Sequence, residues 1–203
     1  MRKMTRRAAL LGLPLALAGC ASALERPYVA RQDWALSVPP PAQDAPERKG
    51  RKVLLVRSTV AAPLLGDRGL LTLNQDGSMT TSFYERWAVP PAEGVGASLS
   101  QFLAQSGLFS AVLAPGSVAE ADLTLEPDLL RLWAEPAAGR AIASLSIVLL
   151  SGSTLNPRVL LQATETATSP LAGQDTEAQV HAELAALAAV FRKVEEALAP
   201  FAA

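Results

Sequence analysis

The sequence predicts an α/β domain of the α+β kind: a mostly antiparallel or mixed sheet of about six strands with two main helices packed on it. Three observations lead there. Three long runs with period-2 alternation, 121–133, 141–150 and 157–168, follow one another with only short turns between them. Asp76-Gly77 joins two further strand-like runs, a strong hairpin signal. Two apolar stripes at helical spacing, within 95–103 and 180–198, supply faces that can cover a sheet.

Each element has its own local reason. Trp34, Leu36 and Val38 alternate with Ala35 and Ser37, which predicts a short strand within 33–38. Pro39-Pro40-Pro41 and the polar run to Gly50 read as a stiff, solvated connector, because proline cannot donate to a sheet ladder. Val53 to Val56 is a buried strand. Leu70–Leu73 and Met79–Tyr84 form the hairpin. Pro90-Pro91 then opens a helix, since a first turn tolerates proline, and Val95, Leu99, Phe102 and Leu103 share its inner face. Gly107 stops that helix, and Ser110 to Leu113 is a brief strand.

Among the three long strands, Pro127 predicts a bulge or an edge position in the first. Leu145, Ile147 and Leu149 face one way in the second, and Ser144 and Ser146 the other. In the third, Val159, Leu161 and Ala163 alternate with Arg158, Leu160 and Gln162. Thr176 with Gln179 reads as a capping box for the last helix, whose stripe is Val180, Leu184, Leu187, Phe191, Val194 and Leu198. That stripe suits packing across the sheet better than a coiled-coil seam. Self-association into a ring stays open.

The first twenty residues say where the protein works. Arg2, Lys3, Arg6 and Arg7 precede an apolar run, Ala8 to Ala18, and Leu17-Ala18-Gly19-Cys20 closes it with small residues before the chain's single cysteine. This is a lipoprotein signal (1–19) with Cys20 as the acylated residue of the mature chain. The apolar run is broken by Gly12 and Pro14 and is far shorter than the ~20 residues a spanning helix needs. Ala21 and Ser22 follow the cysteine rather than aspartate, which in a Gram-negative cell favours the outer membrane. Thr5-Arg6-Arg7 hints at twin-arginine export. Loss of the four leader cations takes Lys+Arg from 18 to 14 against 19 Asp+Glu, and the formal charge from −1 to −5. An acidic mature chain argues against nucleic acid as a partner. With Cys20 acylated, disulfides and cysteine-held metals are excluded.

No catalytic set is legible. His181 is the only histidine and falls on the predicted solvent side of the last helix, so neither a histidine triad nor a multi-histidine metal site is available. Gly94-Val95-Gly96 lies inside a helix and reads as packing rather than a phosphate cradle. Glu120/Asp122 and Glu126/Asp128 read as solvated strand faces. Ser98, Ser100 and Ser106 sit outside any Gly-x-Ser-x-Gly elbow. The reading is therefore no catalytic residue, no metal and no cofactor.

One cluster invites a binding role. Phe83-Tyr84-Glu85-Arg86-Trp87 gathers three of the ten aromatics where the hairpin leads into the helix. These rings either pack the corner, with Arg86 snorkelling or paired with Glu85, or meet a partner protein or lipid. Packing is the favoured reading for Trp87. Tyr84, Arg86 and Trp87 are the candidate contact residues.

These features occur in a recurrent order: lipobox, alternating strand with a proline-rich tail, hairpin, Tyr84-Glu85-Arg86-Trp87-Ala88-Val89-Pro90-Pro91. A helix with Leu99…Phe102-Leu103…Ser106-Gly107-Leu108-Phe109 follows, and then Ala121-Asp122-Leu123-Thr124-Leu125-Glu126. The order resembles the ABC-type transport auxiliary lipoprotein family, the PqiC-like group, over nearly all of the mature chain. The Ala88-Val89 stretch departs from the pattern, since relatives often carry an acidic residue there. The resemblance implies a non-enzymatic, periplasm-facing subunit anchored in the outer membrane, with an MCE-type protein and ABC transporter subunits as partners. It would dock or cap the MCE lipid channel from a transport-auxiliary domain spanning 51–203, with 20–50 as lipidated N-terminus and connector. Two other readings remain: a lipoprotein that holds lipid in its own pocket, and, with less support, a lipoprotein hydrolase.

Overall fold

A computed structural model describes residues 29–39, 50–151 and 156–203. The leader, Cys20, most of the proline-rich connector and the Gly152-Ser153 turn lie outside the described residues. Arg31–Ala203 form one compact unit.

The described strands are β1 (Gln32–Trp34), β2 (Val53–Val56), β3 (Val60–Ala61), β4 (Gly69–Leu73), β5 (Met79–Trp87), β6 (Ala111–Leu113), β7 (Leu123–Glu135), β8 (Arg140–Ser151) and β9 (Arg158–Pro170). The helices are α1 (Pro91–Gln105) and α2 (Thr176–Leu198). All nine strands join one mixed sheet, more than the six expected; β3, two residues long, leaves no periodic signature, and β1 ends at Trp34, so that Leu36 and Val38 of the expected 33–38 strand are buried outside any strand.

β7 organises the sheet. One of its edges pairs antiparallel with β8 along its length, and β8 pairs with β9 in the same sense. Its other edge is shared in succession by three parallel partners: β2 at Leu123–Leu125, β3 at Asp128–Leu129 and β4 at Ala134. Pro127 falls between the β2 and β3 pairings, where a missing N–H costs no ladder bond. The bulge in β7 comes later, between Leu129 and Arg131. Beyond β2 lies β6, and beyond β4 lie β5 and then β1 at the sheet's far edge.

Both helices cover one face. α1 packs on β3, β6 and β7 and α2 on β7, β8 and β9, and Phe102 meets Phe191 edge to face at 5.6 Å. Beneath them Leu125, Leu129, Leu145, Ile147 and Leu149 are wholly buried, together with Val95, Leu99, Leu103, Leu187, Phe191 and Val194 from the helices. Each such side chain contributes about 1.5–3 kcal/mol by leaving water. The opposite face is polar at its centre, where Ser144 and Thr166 hydroxyls lie 2.8 Å apart on paired residues of β8 and β9. Leu149 and Leu150 of β8 pair with Leu161 and Val159 of β9, and this register shift takes Val159 out of the inward set, so it is exposed rather than aligned with Leu161 and Ala163.

α1 starts as expected, with Pro90 at the N-cap and Pro91 in the first turn. Its glycines admit neighbours: a Cβ at Gly94 would stand 3.0 Å from Leu36 Cβ, and one at Gly96 2.7 Å from Thr59 Oγ1. Leu36 and Val38 are both buried beside α1. Ser98 fastens this segment, its hydroxyl donating to Leu36 O and accepting from Val38 N, each at 3.4 Å. α2 is capped differently from expectation. Asp175, not Thr176, is the N-cap, and its carboxylate accepts from Ala178 N at 2.8 Å. A carboxylate in that place also meets the positive end of the helix, an advantage a threonine hydroxyl lacks.

Candidate functional site

The aromatic corner is built by a misfit between β4 and β5. Leu71 pairs with Thr81 and Gly69 with Arg86, so two steps along β4 face five along β5. The surplus swells outward at Ser82–Glu85, and Ser82 Oγ closes it by accepting from Glu85 N at 3.0 Å. Phe83 and Tyr84 are thereby displaced from the core, 64% and 44% exposed, with ring centroids 5.2 Å apart and planes nearly perpendicular. Arg31 places its guanidinium 4.2 Å over the Phe83 ring.

β1 zips onto this corner in parallel, with Gln32 opposite Glu85, Asp33 opposite Arg86 and Trp34 opposite Trp87. Arg86 Nε donates to Asp33 Oδ1 at 2.6 Å, and Trp34 Nε1 donates to Glu85 Oε2 at 2.8 Å. Pairing of Arg86 with Glu85, one of its two expected arrangements, is thus replaced by two cross-strand pairings, since consecutive strand residues point to opposite faces. The hydrogen bond from Arg86 holds the Asp33 carboxyl below its usual range against the opposing effect of desolvation, and the charges of Arg86, Arg68 and Arg31 add to the lowering. Arg68 also donates to Ala88 O at 2.8 Å.

Of the three candidate contact residues, the corner exposes Tyr84, engages Arg86 with Asp33, and buries Trp87. Trp87 is 2% exposed and packs in the core, as the favoured reading of the sequence has it. Phe83, not singled out in the sequence, is the most exposed ring of the five-residue cluster. Alternation alone would have turned either Phe83 or Tyr84 inward, and only the bulge exposes both.

A second feature is a groove of about 410 Å³ beside α1, lined mainly by Ala92, Gly96, Ala97, Ala114 and Pro115, with Arg57 at its margin. Thr59 Oγ1 is buried there without a hydrogen-bond partner. Arg57 pairs with Glu126 at 3.0 Å.

The third is Glu183, which sequence reasoning missed. It is fully buried in α2, and burial pushes its pKa up to about 8 against the opposing hydrogen bond from Gln179. Gln179 Nε2 bridges Leu71 O at 3.0 Å and Glu183 Oε1 at 2.8 Å, while Glu183 Oε2 has no partner. A signal did exist: position 183 falls three residues after Val180 and four before Leu187, on the buried stripe itself.

The groups nominated for chemistry have other work. Ser98 clips the 36–38 segment, Ser100 Oγ donates to Gly96 O, and Ser106 Oγ donates to Leu103 O. Asp122 accepts from Val53 N at 2.8 Å. His181 is exposed on α2. Among the described residues no group of three or more His, Cys, Asp or Glu could hold a metal, and no helix is long and apolar enough to cross a membrane.

Comparison with known proteins places the chain. A structure of protein XCC0632 from Xanthomonas campestris, of a family designated DUF330, superposes with a TM-score of 0.69 at 24% identity, over 83% of this chain and 95% of that one. A structure of an uncharacterized protein gives a TM-score of 0.59 at 12% identity, over 85% of this chain and all of that one. Both share the fold. No curated protein sequence matches. The family model for the ABC-type transport auxiliary lipoprotein component matches residues 34–195, from the end of β1 to the last turn of α2. The chain belongs to the ABC-type transport auxiliary lipoprotein component family.

Proposed function

We propose that this protein is a non-catalytic, lipid-anchored subunit of an ABC transport system that moves lipid together with an MCE-type partner. Acyl chains on Cys20 hold it at the periplasmic face of the outer membrane, and the folded domain docks or caps the MCE assembly. The observation that carries this reading is the short distance between anchor and domain. The sheet takes up the chain at Gln32, so the eleven steps from Cys20 to Arg31 reach at most about 40 Å at ~3.3–3.6 Å per residue. A tether running to position 50 would have reached roughly 100 Å at the same rise. A body held this close serves as a fixed attachment point on one membrane.

Metabolic palmitate labelling of wild type and Cys20→Ser, with membrane fractionation and affinity isolation, tests it. The expected result is label that depends on Cys20, sedimentation with outer membrane, and co-purification of an MCE-type protein. Label that persists in Cys20→Ser, or a freely soluble wild type, overturns it.

The α1 groove favours a second reading, in which the protein holds part of a lipid acyl chain itself. Its volume, about 410 Å³, and its mainly apolar walls are of the kind that bind small apolar ligands. Retention of a photoactivatable fatty acid at Ala92–Ser100 would support that reading, and labelling elsewhere or none would dismiss it.

A further inference from the structure

The swelling in β5 spends three residues beyond what β4 pairs with, and its result is two aromatic rings in water. Exposing a phenylalanine at 64% opposes the hydrophobic effect, so the corner is made for something that covers it. Its charges are arranged for a polar boundary. Asp33 is bonded to Arg86, Glu85 to Trp34 Nε1 and Arg68 to Ala88 O, while the Arg31 guanidinium lies on the Phe83 ring. Arg31, Arg68 and Arg86 balance Asp33, Glu85 and Asp67, so this patch does not repel an anionic surface although the mature chain carries −5.

Position decides what covers it. Arg31 is the first residue of the compact unit and touches Phe83, so the chain leaves the domain on top of the aromatic pair. A unit of this length is about 40 Å across, no less than the greatest span between Arg31 and Cys20. An anchor at Cys20 therefore holds the corner within about 40 Å of the lipid. Aromatic rings beside an arginine are the side chains that settle at the headgroup level of a bilayer.

We propose that the Phe83–Tyr84 corner is a membrane-contact surface: the two rings lie among phospholipid headgroups, and Arg31 meets the phosphates. This rests on the reading of Cys20 as the acylated residue.

The test uses the mature acylated protein in vesicles of phosphatidylethanolamine and phosphatidylglycerol. Cys20 is the only cysteine and is consumed by acylation, so Phe83→Cys carries the single free thiol for a nitroxide, with Tyr84→Cys as a second site. Val118→Cys is the control, in the turn after β6 at the opposite end of the sheet order and fully exposed. On vesicles, collision with a water-soluble nickel reagent should fall severalfold at 83 and 84, collision with oxygen should rise, and 118 should not change. Palmitate incorporation is measured on the same samples. Acylated protein with 83 and 84 as wet as 118 overturns the contact surface and leaves the anchor standing. Absent acylation overturns the anchor and the contact surface with it. Labels that stay wet on vesicles and become shielded only when an MCE-type protein is added overturn the proposal in favour of a protein interface.

Discussion

Asp33 and Arg86 face each other across the parallel pair β1–β5, with Arg86 Nε 2.6 Å from Asp33 Oδ1 and Arg86 Nη2 3.4 Å from Asp33 Oδ2. Three residues of β1 form the sheet's edge, and this pair with the Trp34–Glu85 bond is what side chains add to hold it. Arg86→Ala should release β1 locally, with faster amide exchange at Trp34 and Ala88 and an almost unchanged Tm. The Asp33 carboxyl is held below its ordinary value of 3.8, so its folded pKa lies under its unfolded one. The stabilisation is present above the unfolded value and fades as pH drops below it. Protection at Trp34, taken relative to the intrinsic exchange rate at each pH, should therefore fall in wild type below about pH 4 and lose that dependence in Arg86→Ala.

Glu183 acts with the opposite sign. Its folded pKa of about 8 exceeds the ordinary value of 4.5, so the folded state binds the proton more tightly. Stability should be greatest below about pH 4.5, decline up to about pH 8 and level off beyond, a loss on the order of a few kcal/mol. Glu183→Gln should flatten that decline. Denaturant unfolding of both proteins across pH 4 to 9 measures the difference, and parallel curves would refute the assignment.

Trp87 and Phe83 stand four residues apart on β5 and should respond very differently. Trp87→Ala empties a core site and is expected to cost about 3–5 kcal/mol. Phe83→Ala, at an exposed ring, should change stability by no more than about 0.5 kcal/mol. Urea titration of the two variants distinguishes them directly.

Around α1 the expectation runs against helix propensity. Gly→Ala in a helix ordinarily gains up to about 1 kcal/mol. At Gly94 the new methyl would crowd Leu36 Cβ and at Gly96 Thr59 Oγ1, so both substitutions should destabilise, by about 1–3 kcal/mol. Thr59→Val should be neutral or stabilising, because it removes a buried hydroxyl that has no partner. Thermal unfolding of the three variants decides the signs.

Lys193 donates from α2 to Thr166 O at 2.6 Å, on β9, whose outer edge pairs with no described strand. A lysine there blunts a long edge that would otherwise template pairing with another chain. Lys193→Ala should raise the tendency to self-associate, read by light scattering against concentration, with little change in Tm.

What was legible in the sequence was whatever local periodicity controls. The hairpin at Asp76-Gly77, the start of α1 at Pro91, the opposed faces of β8 and the stripe of α2 all follow from side chains a few residues apart, and the structure has them. The absence of a histidine pair, and with it of a triad, is likewise a property of the chain alone.

Tertiary structure decided the rest, because it turns on which distant segments meet. Three short strands share one edge of β7, a consequence of parallel pairing that no local pattern records. The β5 bulge exists only against β4, so the exposure of both Phe83 and Tyr84 could not be read from alternation. Asp33 was one acid among nineteen until β1 placed it opposite Arg86. Glu183 shows the boundary between the two: its position on the buried stripe was written in the spacing, but its raised pKa required the apolar core to close around it. Periodicity fixes which way a side chain points, and only packing fixes what it meets there.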